Sequence, residues 1–419
     1  MSMSYNYLAY SKQYRMVRFM INIVFVGIGQ CGNRFANCFY EHAKDASYLA
    51  DNFSSITAVA VNTCYKDMSA LSNIPIRNKI DIRLDGNLEG TGRNPQIGRE
   101  SMEENLDDVY TGIMAACDRA GMDRVDLCFL WAGLGGGTGT GGLQVLAEHL
   151  VKKGHNIAIG VTMPHKLEGV DVHRNAYNAM VELQKWFMQE GIHDIPCLII
   201  DNNKISDMTL ERSNEIIANN ICRMNTALSF ELAGSNFDNS DFLNVLKRDG
   251  AMAFIEASVD ASILTSGKSD VLLNAVREEI SKAPYTDCDA FDAFCSAIIA
   301  VAPRSFLDRE NSTNRKILKD NIEVIQSQLT ATETKYSAVY VYPSEIDNEN
   351  VFVYMLLTGL ATPDKELDEM DKKVNELIMR KKELMKKNRC SIMKRVKIVD
   401  DDDDDMEVSL NFDKYTFKD

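Results

Sequence analysis

Residues 131–142, WAGLGGGTGTGG, hold seven glycines and two threonines in twelve positions. Glycine inside regular structure costs about 0.5–1 kcal/mol relative to alanine, so this cluster indicates a backbone that must turn sharply or be approached closely. It follows the apolar run 125–131 and precedes a helical pattern at 142–152. A glycine-rich turn between a strand and a helix presents N–H groups that can surround a phosphate, and Thr138 and Thr140 would add hydroxyl donors.

Short apolar runs alternate with helical segments through the first half of the chain. They are residues 21–26, 56–61, 125–131, 156–162 and 195–200. Strands that are apolar throughout are buried on both faces, and strand–helix alternation is typical of a parallel sheet. We therefore expect an α/β fold with a Rossmann-like parallel sheet, forming a nucleotide-binding domain over residues 21–205.

The rest of the chain divides into five predicted segments. They are an N-terminal extension that could form a helix (1–20), a long central helix (206–234), a second, smaller α+β domain (235–362), a long C-terminal helix (363–390) and a flexible charged tail (391–419). The C-terminal helix is predicted to bury one face, because apolar residues recur at three-four spacing. They are Leu367, Met370, Val374, Leu377 and Leu384.

Composition limits the classes of partner and compartment. The net charge of −15 excludes a general nucleic-acid-binding role, so DNA contact would need a local basic segment. Ten cysteines without zinc-type spacing favour free thiols in a reducing compartment. Because the sequence has no long apolar run and no signal-peptide pattern, we expect a cytoplasmic protein without membrane contact.

A second glycine turn, GIGQCGN at 27–33, follows the first predicted strand. Taken alone, it fits a dinucleotide-binding oxidoreductase as well as a mononucleotide site. The sequence contains no GxxxxGK[ST] motif, and Thr63 and Cys64, rather than an acidic residue, follow the second strand. These features argue against a P-loop protein and against an NAD-dependent enzyme.

The ordered motifs of the chain resemble those of the tubulin/FtsZ superfamily of GTPases. GLGGGTGTGG resembles the family's glycine signature, and GQCGN resembles its first phosphate loop. Similar motifs follow in the family's order: GTGRNPQIGRE (90–100), VTMPHKLEG (161–169), LIIDNNK (198–204) and FDNSDF (237–242). Within the superfamily, GRNPQ, IDNNK, FDNSDF and TGLATP before a charged helix look most like the TubZ branch of plasmids and phages.

The resemblance implies binding of GTP or GDP, with Mg²⁺ held mainly by phosphates and water rather than by protein side chains. The nucleotide-binding residues that it implies are Gly29, Gln30, Cys31, Gly32, Arg34, Gly92, Arg93, Asn94, Gly135, Gly136, Gly137, Thr138, Gly139, Pro164, Glu168, Asn202 and Asn219. The glycine amides would hold the phosphates, Asn94 would approach the γ-phosphate, and Glu168 would bond the ribose. Asn202 and Asn219 would bond the sugar and guanine edge, with the register at Asn219 and Asn220 left open by one residue.

The resemblance also implies that a neighbouring subunit completes catalysis. Asp238 and Asp241 would orient and polarise the attacking water on the next subunit, so hydrolysis would follow head-to-tail assembly into dynamic filaments. The second catalytic aspartate of FtsZ aligns with Asn244. A slowly hydrolysing or non-hydrolysing structural filament therefore stays as an alternative. An FtsZ-like division protein is a separate alternative.

For the TubZ branch, the implied role is plasmid or phage DNA segregation in a bacterial cell. A TubR-like DNA-binding adaptor would grip the filament tail, so DNA contact would be indirect. The candidate contact is the segment 380–397, with nine Lys or Arg and one Glu, followed by six aspartates at 400–405.

Overall fold

The computed structural model describes residues 21–49, 56–84, 86, 89–192, 194–205, 209–234, 237–265, 270–285, 289–307, 312–342 and 349–399. The strands are β1 (Ile23–Ile28), β2 (Ile56–Asn62), β3 (Lys79–Asp81), β4 (Leu127–Gly133), β5 (Ile157–Met163), β6 (Pro196–Asp201), β7 (Glu231–Leu232), β8 (Gly250–Asp260), β9 (Cys295–Ala302), β10 (Thr334–Val341) and β11 (Asn350–Leu360). All five predicted strands of the first half are present, within two residues of their expected starts.

The helices alternate with these strands. They are α1 (Gly29–Leu49), α2 (Tyr65–Ser69), α3 (Pro95–Glu104), α4 (Leu106–Arg119), α5 (Thr138–Lys152), α6 (Val170–Phe187), α7 (Leu210–Ala227), α8 (Asn239–Leu246), α9 (Ala261–Leu264), α10 (Val271–Lys282), α11 (Ser312–Gln328) and α12 (Asp364–Val399). Among the helices of the described residues, none is both long enough and apolar enough to cross a bilayer.

The described strands form one sheet in the order β3-β2-β1-β4-β5-β6-β8-β11-β9-β10-β7. The strands from β3 to β6 pair in parallel, and every residue of β1, β2, β5 and β6 is buried, as the continuous apolar runs predict. Since β2 and β4 flank β1, the strand order reverses there. In an open parallel sheet, ligands bind beyond the carboxyl ends of the strands at such a switch point.

The second half continues the same sheet. β8 pairs in parallel with β6 through Pro196–Gly250 and the two following residue pairs, and β11 runs antiparallel between β8 and β9. The described residues up to Met370 form one compact unit, and those from Asp371 onward form a second. The proposed division of the first unit into a nucleotide-binding and a C-terminal domain stays a prediction.

The central helix α7 crosses the sheet from its carboxyl edge to its amino edge. It begins after β6, where the Thr209 hydroxyl caps it, and near its other end Asn225 bonds the backbone N and O of Ile21, each at 3.1 Å. Its 18 residues correspond to about 27 Å. It is shorter than the predicted span 206–234, since the chain leaves the helix after Ala227 to form β7.

The C-terminal helix α12 extends further than predicted. It continues through the basic segment to Val399 instead of ending at 390, because lysine and arginine are good helix formers. Leu367, Met370 and Val374 are buried as expected, whereas Leu384 is exposed and does not extend the buried face. The predicted N-terminal extension 1–20 and the acidic run 400–405 lie outside the described residues.

Candidate nucleotide-binding site

The two glycine turns lie against each other where β1 and β4 end. A β-carbon on Gly29 would lie 2.8 Å from the backbone N of Gly139, and one on Gly139 would lie 2.8 Å from the carbonyl O of Ile28. Gly29 also has a left-handed φ of 71°. Gly29 begins α1 and Gly139 lies in the first turn of α5, so two helix N-termini meet at this edge. Their free N–H groups and dipoles favour an anion there.

Most glycines of the 131–142 run are required by packing rather than by a ligand. A β-carbon on Gly137 would collide with Thr91, and one on Gly141 would collide with the carbonyl O of Pro95. Gly136 differs from the other six, because among the described residues other than itself and its two chain neighbours no heavy atom lies within 4 Å of its β-carbon position, and it is exposed. That the N–H groups of the whole run serve a phosphate stays a prediction, and Gly136 is the glycine of the run with open space beside it.

A third loop, residues 90–94, packs beside the glycine run. Gly92 and Arg93 have left-handed φ values of 57° and 65°, and the second value is unusual for a residue with a side chain. The Oδ1 of Asn94 accepts from Gln96 N at 3.0 Å and caps α3. Because the cap occupies the amide oxygen, Asn94 can offer a ligand its amide nitrogen. All three residues, 92–94, are exposed.

The two threonines of the glycine run bond to the protein itself. The hydroxyl of Thr138 is buried and lies 2.7 Å from that of Thr63, which follows β2. The hydroxyl of Thr140 accepts from Gly135 N at 3.0 Å. These bonds fix the loop, and donation by the two hydroxyls to a phosphate stays a prediction.

Cys31 lies in the first glycine turn, beside Thr162 of β5 and the loop that follows β5. Burial raises the pKa of the Cys31 thiol, whereas a hydrogen bond with the Thr162 side chain and the charge of Arg34 act in the opposite direction. The charge of Glu168 raises the pKa further, so the thiol stays neutral at physiological pH and is a weak hydrogen-bond partner rather than a nucleophile. Arg34 also approaches Glu211, in the first turn of α7, at 3.9 Å.

The loops after β5 and β6 are joined through Asn203. Its side chain accepts from Lys166 N at 2.6 Å and donates to the carbonyl O of Pro164 at 3.4 Å. The preceding Oδ1 of Asn202 is buried and has no hydrogen-bond partner among the described residues. A buried amide oxygen without a hydrogen-bond partner is costly. The Oδ1 of Asn202 is therefore suited to accept a hydrogen bond from a bound ligand. Glu168 accepts from His165 N at 3.0 Å and is exposed at the same edge.

Asn219 lies away from this edge. On the same face of α7, three residues further on, the thiol of Cys222 bonds the carbonyl O of Phe39 in the middle of α1. Asn220 instead lines a cavity with Tyr285. Asn214 is five residues nearer the carboxyl edge, about 7.5 Å along the helix axis.

Asp238 and Asp241 lie at the opposite end of α7 from the glycine turns, at the start of α8. They form a capping box: Asp238 Oδ1 accepts from Ser240 N at 2.8 Å and Asp241 N at 3.0 Å, and Asp241 Oδ2 accepts from Asp238 N at 3.1 Å. Each carboxylate retains a second oxygen. Given the length of α7, neither side chain can reach the glycine turns of its own chain.

Comparisons with known proteins show which families and folds this chain is similar to. The family model described as Tubulin/FtsZ family, GTPase domain, matches residues 22–209. The tubulin-like protein CetZ of Pyrococcus furiosus is 32% identical over 58% of this chain and 63% of its own length. The tubulin-like protein TubZ of Bacillus cereus is 24% identical over 83% of this chain and 81% of its own length. The chain thus spans less than two thirds of the archaeal relative.

Solved structures share the fold. CetZ2 of Haloferax volcanii, a GTPγS-bound protofilament, superposes with a TM-score of 0.65 at 22% identity, over 86% of this chain and 100% of that one. TubZ of Bacillus thuringiensis serovar israelensis, a GTPγS-form protofilament, gives 0.66 at 16% identity, over 93% and 99%. The glycine turns, the switch point at β1 and the match over β1 to β6 lead to one assignment: residues 22–209 of this chain are a GTPase domain of the tubulin/FtsZ family.

Proposed function

We propose that the protein binds GTP at the carboxyl edge of the sheet. The observation that carries this proposal is the meeting of the α1 and α5 N-termini beside the open Gly136. The amides of Gln30 to Gly32 and Gly136 to Gly139 would hold the phosphates, with Arg93 and Asn94 on the far side. Relatives with the same fold carry GTPγS, which supports a guanine nucleotide.

Magnesium would enter with the nucleotide. Among the described residues, no group of three His, Cys, Asp or Glu side chains could hold a metal ion. Mg²⁺ would be held mainly by phosphate oxygens and water, and it would offset the phosphate charge during transfer.

We assign the guanine contact to Asn202 and Asn214 rather than to Asn219. Asn214→Ala should lower GTP affinity by about tenfold, because one bidentate contact with the base is lost. Asn219→Ala is the matched control on the same helix and should change affinity by less than about twofold. Titration with a fluorescent GTP analogue measures both. If Asn219→Ala lowers GTP affinity more than Asn214→Ala does, the guanine contact belongs to Asn219.

Hydrolysis requires a second subunit in this proposal. The glycine turns and the Asp238–Asp241 pair lie at opposite ends of α7, so head-to-tail stacking would bring one subunit's aspartates to the next subunit's γ-phosphate. Such heterologous contacts propagate into open filaments. The exposed Leu167, beside Glu168, supplies apolar area at the nucleotide end, where a contact would cover it.

The test is the GTPase rate per subunit against protein concentration in Mg²⁺, with pelleting in parallel. The rate should rise cooperatively above a threshold that coincides with pelleting, since the site is complete only in the filament. A rate per subunit that does not depend on concentration would place all catalytic groups in one chain. Pelleting with GTP but without phosphate release would instead favour the structural filament.

The cargo of the filament is a separate proposal. Segregation of plasmid or phage DNA through a TubR-like adaptor rests on the TubZ resemblance and on the basic segment of α12. Archaeal CetZ relatives match at higher identity over a shorter length, so the comparisons support tubulin-like assembly more directly than DNA segregation.

A further inference from the structure

Asn175, in the second turn of α6, bridges two loops of the candidate site. Its Nδ2 donates to the carbonyl O of Arg93 at 2.9 Å and to the carbonyl O of Gly135 at 3.1 Å. A side-chain amide has two N–H donors, so both bonds form at once. This one side chain therefore links the 90–94 loop to the glycine run.

The bond to Gly135 sets the direction of the next N–H group. In a planar trans peptide, the carbonyl O and the following N–H point in opposite directions. With the Gly135 carbonyl turned towards Asn175, the Gly136 N–H is turned away from α6. Among the described residues, that N–H donates to no protein acceptor, and the space beside Gly136 is open.

The backbone of Gly135 is held in this orientation by two further contacts. Its own N–H donates to Thr140, and a β-carbon on it would collide with the Val172 side chain. The bond to Arg93 acts on the second loop, where Arg93 holds a left-handed φ of 65° that a side chain disfavours. Asn175 thus stabilises a strained residue and orients an unused donor.

We propose that Asn175 is a positioning residue of the phosphate site. It holds the Gly136 N–H towards the phosphates and fixes the 90–94 loop beside them, without touching the nucleotide itself. The inference rests on the proposed GTP site and adds to it the residue that couples its two phosphate-facing loops.

Binding of fluorescent GTP and GDP analogues to the full chain tests the proposal. Asn175→Ala should weaken nucleotide binding by about tenfold, since mispositioned donors lose much of their effect. Asn175→Asp should weaken it more, because its carboxylate repels both carbonyl oxygens, whereas Asn175→Gln keeps the donor and should recover part of the affinity. Asn156→Ala is the control: it loses a 3.1 Å bond to the Asp126 carbonyl at the amino edge.

A double-mutant cycle separates positioning from stability. In an Arg93→Gly background, where the left-handed conformation costs little, Asn175→Ala should lower affinity by less than it does with Arg93 present. If wild type binds GTP and Asn175→Ala binds it equally well, the inference is overturned and the GTP site stands. If Asn175→Ala lowers only the Tm of the nucleotide-free protein, as Asn156→Ala is expected to do, Asn175 has a structural role alone. Absence of GTP binding by wild type would instead reject the proposed function.

Discussion

Gly136→Val is expected to abolish GTP binding, with a loss of affinity of more than about 100-fold, while the fold is retained. The valine side chain would occupy the space where we place the phosphates, since no described residue beyond its two chain neighbours lies within 4 Å of that β-carbon position. Gly136 does not have the left-handed φ that disfavours a residue with a side chain. The free energy of unfolding should change by less than about 1 kcal/mol. Nucleotide titration and denaturant unfolding measure the two effects.

Gly169→Val provides a matched control for added bulk. Gly169 also has an open β-carbon position, and its extended φ of −68° and ψ of 162° suit valine. This variant should bind GTP as wild type does. Retained affinity in Gly136→Val would show that the phosphates lie elsewhere, and would reject the assignment of the open position.

The second large effect is expected from the aspartates at the start of α8. Asp238→Asn and Asp241→Asn should each lower the GTPase rate within filaments by about 100-fold, because a carboxylate that polarises the attacking water is removed. Asparagine is as good a helix cap as aspartate, so the start of α8 should persist. Both variants should still pellet with GTP. Asp260→Asn, which changes an exposed cap of α9, should leave the rate unchanged.

A mixture of two inactive variants tests whether the site is shared. Asp238→Asn subunits keep their nucleotide site, and Gly136→Val subunits keep their aspartates. In mixed filaments, the aspartates of a Gly136→Val subunit would complete the nucleotide site of an adjacent Asp238→Asn subunit. Phosphate release should therefore reappear on mixing. An unchanged GTPase rate in Asp238→Asn and Asp241→Asn filaments would show that both residues act only as helix caps.

The sequence predicted the strands well because their signal is local. Continuous apolar runs such as ITAVAV can only be buried on both faces, and in the structure β2 is buried throughout. The end of α7 was harder to predict, since nothing in the chain's helical periodicity shows that residues 231–232 pair with β10. Strand pairing between distant segments is set by tertiary contacts rather than by local propensity.

The candidate site, like the fold, could be predicted from the sequence only in part. The motifs placed Gly29, Gly136 and Glu168 at one edge, because the carboxyl ends of parallel strands meet there. They could not show which glycines serve packing, since Gly137 and Gly141 are constrained by Thr91 and Pro95, distant in sequence.

The sequence by itself determined the α/β class, the order of the strands along the chain and the glycine turns that follow two of them. Only the tertiary structure decided that Gly136 is the open position, that Asn175 links two loops, and that Asp238 lies a full helix length from the nucleotide edge. The physical reason is that composition and periodicity act within one segment. Close backbone contacts and shared hydrogen bonds join segments that the sequence separates by 40 residues or more, as between Gly135 and Asn175.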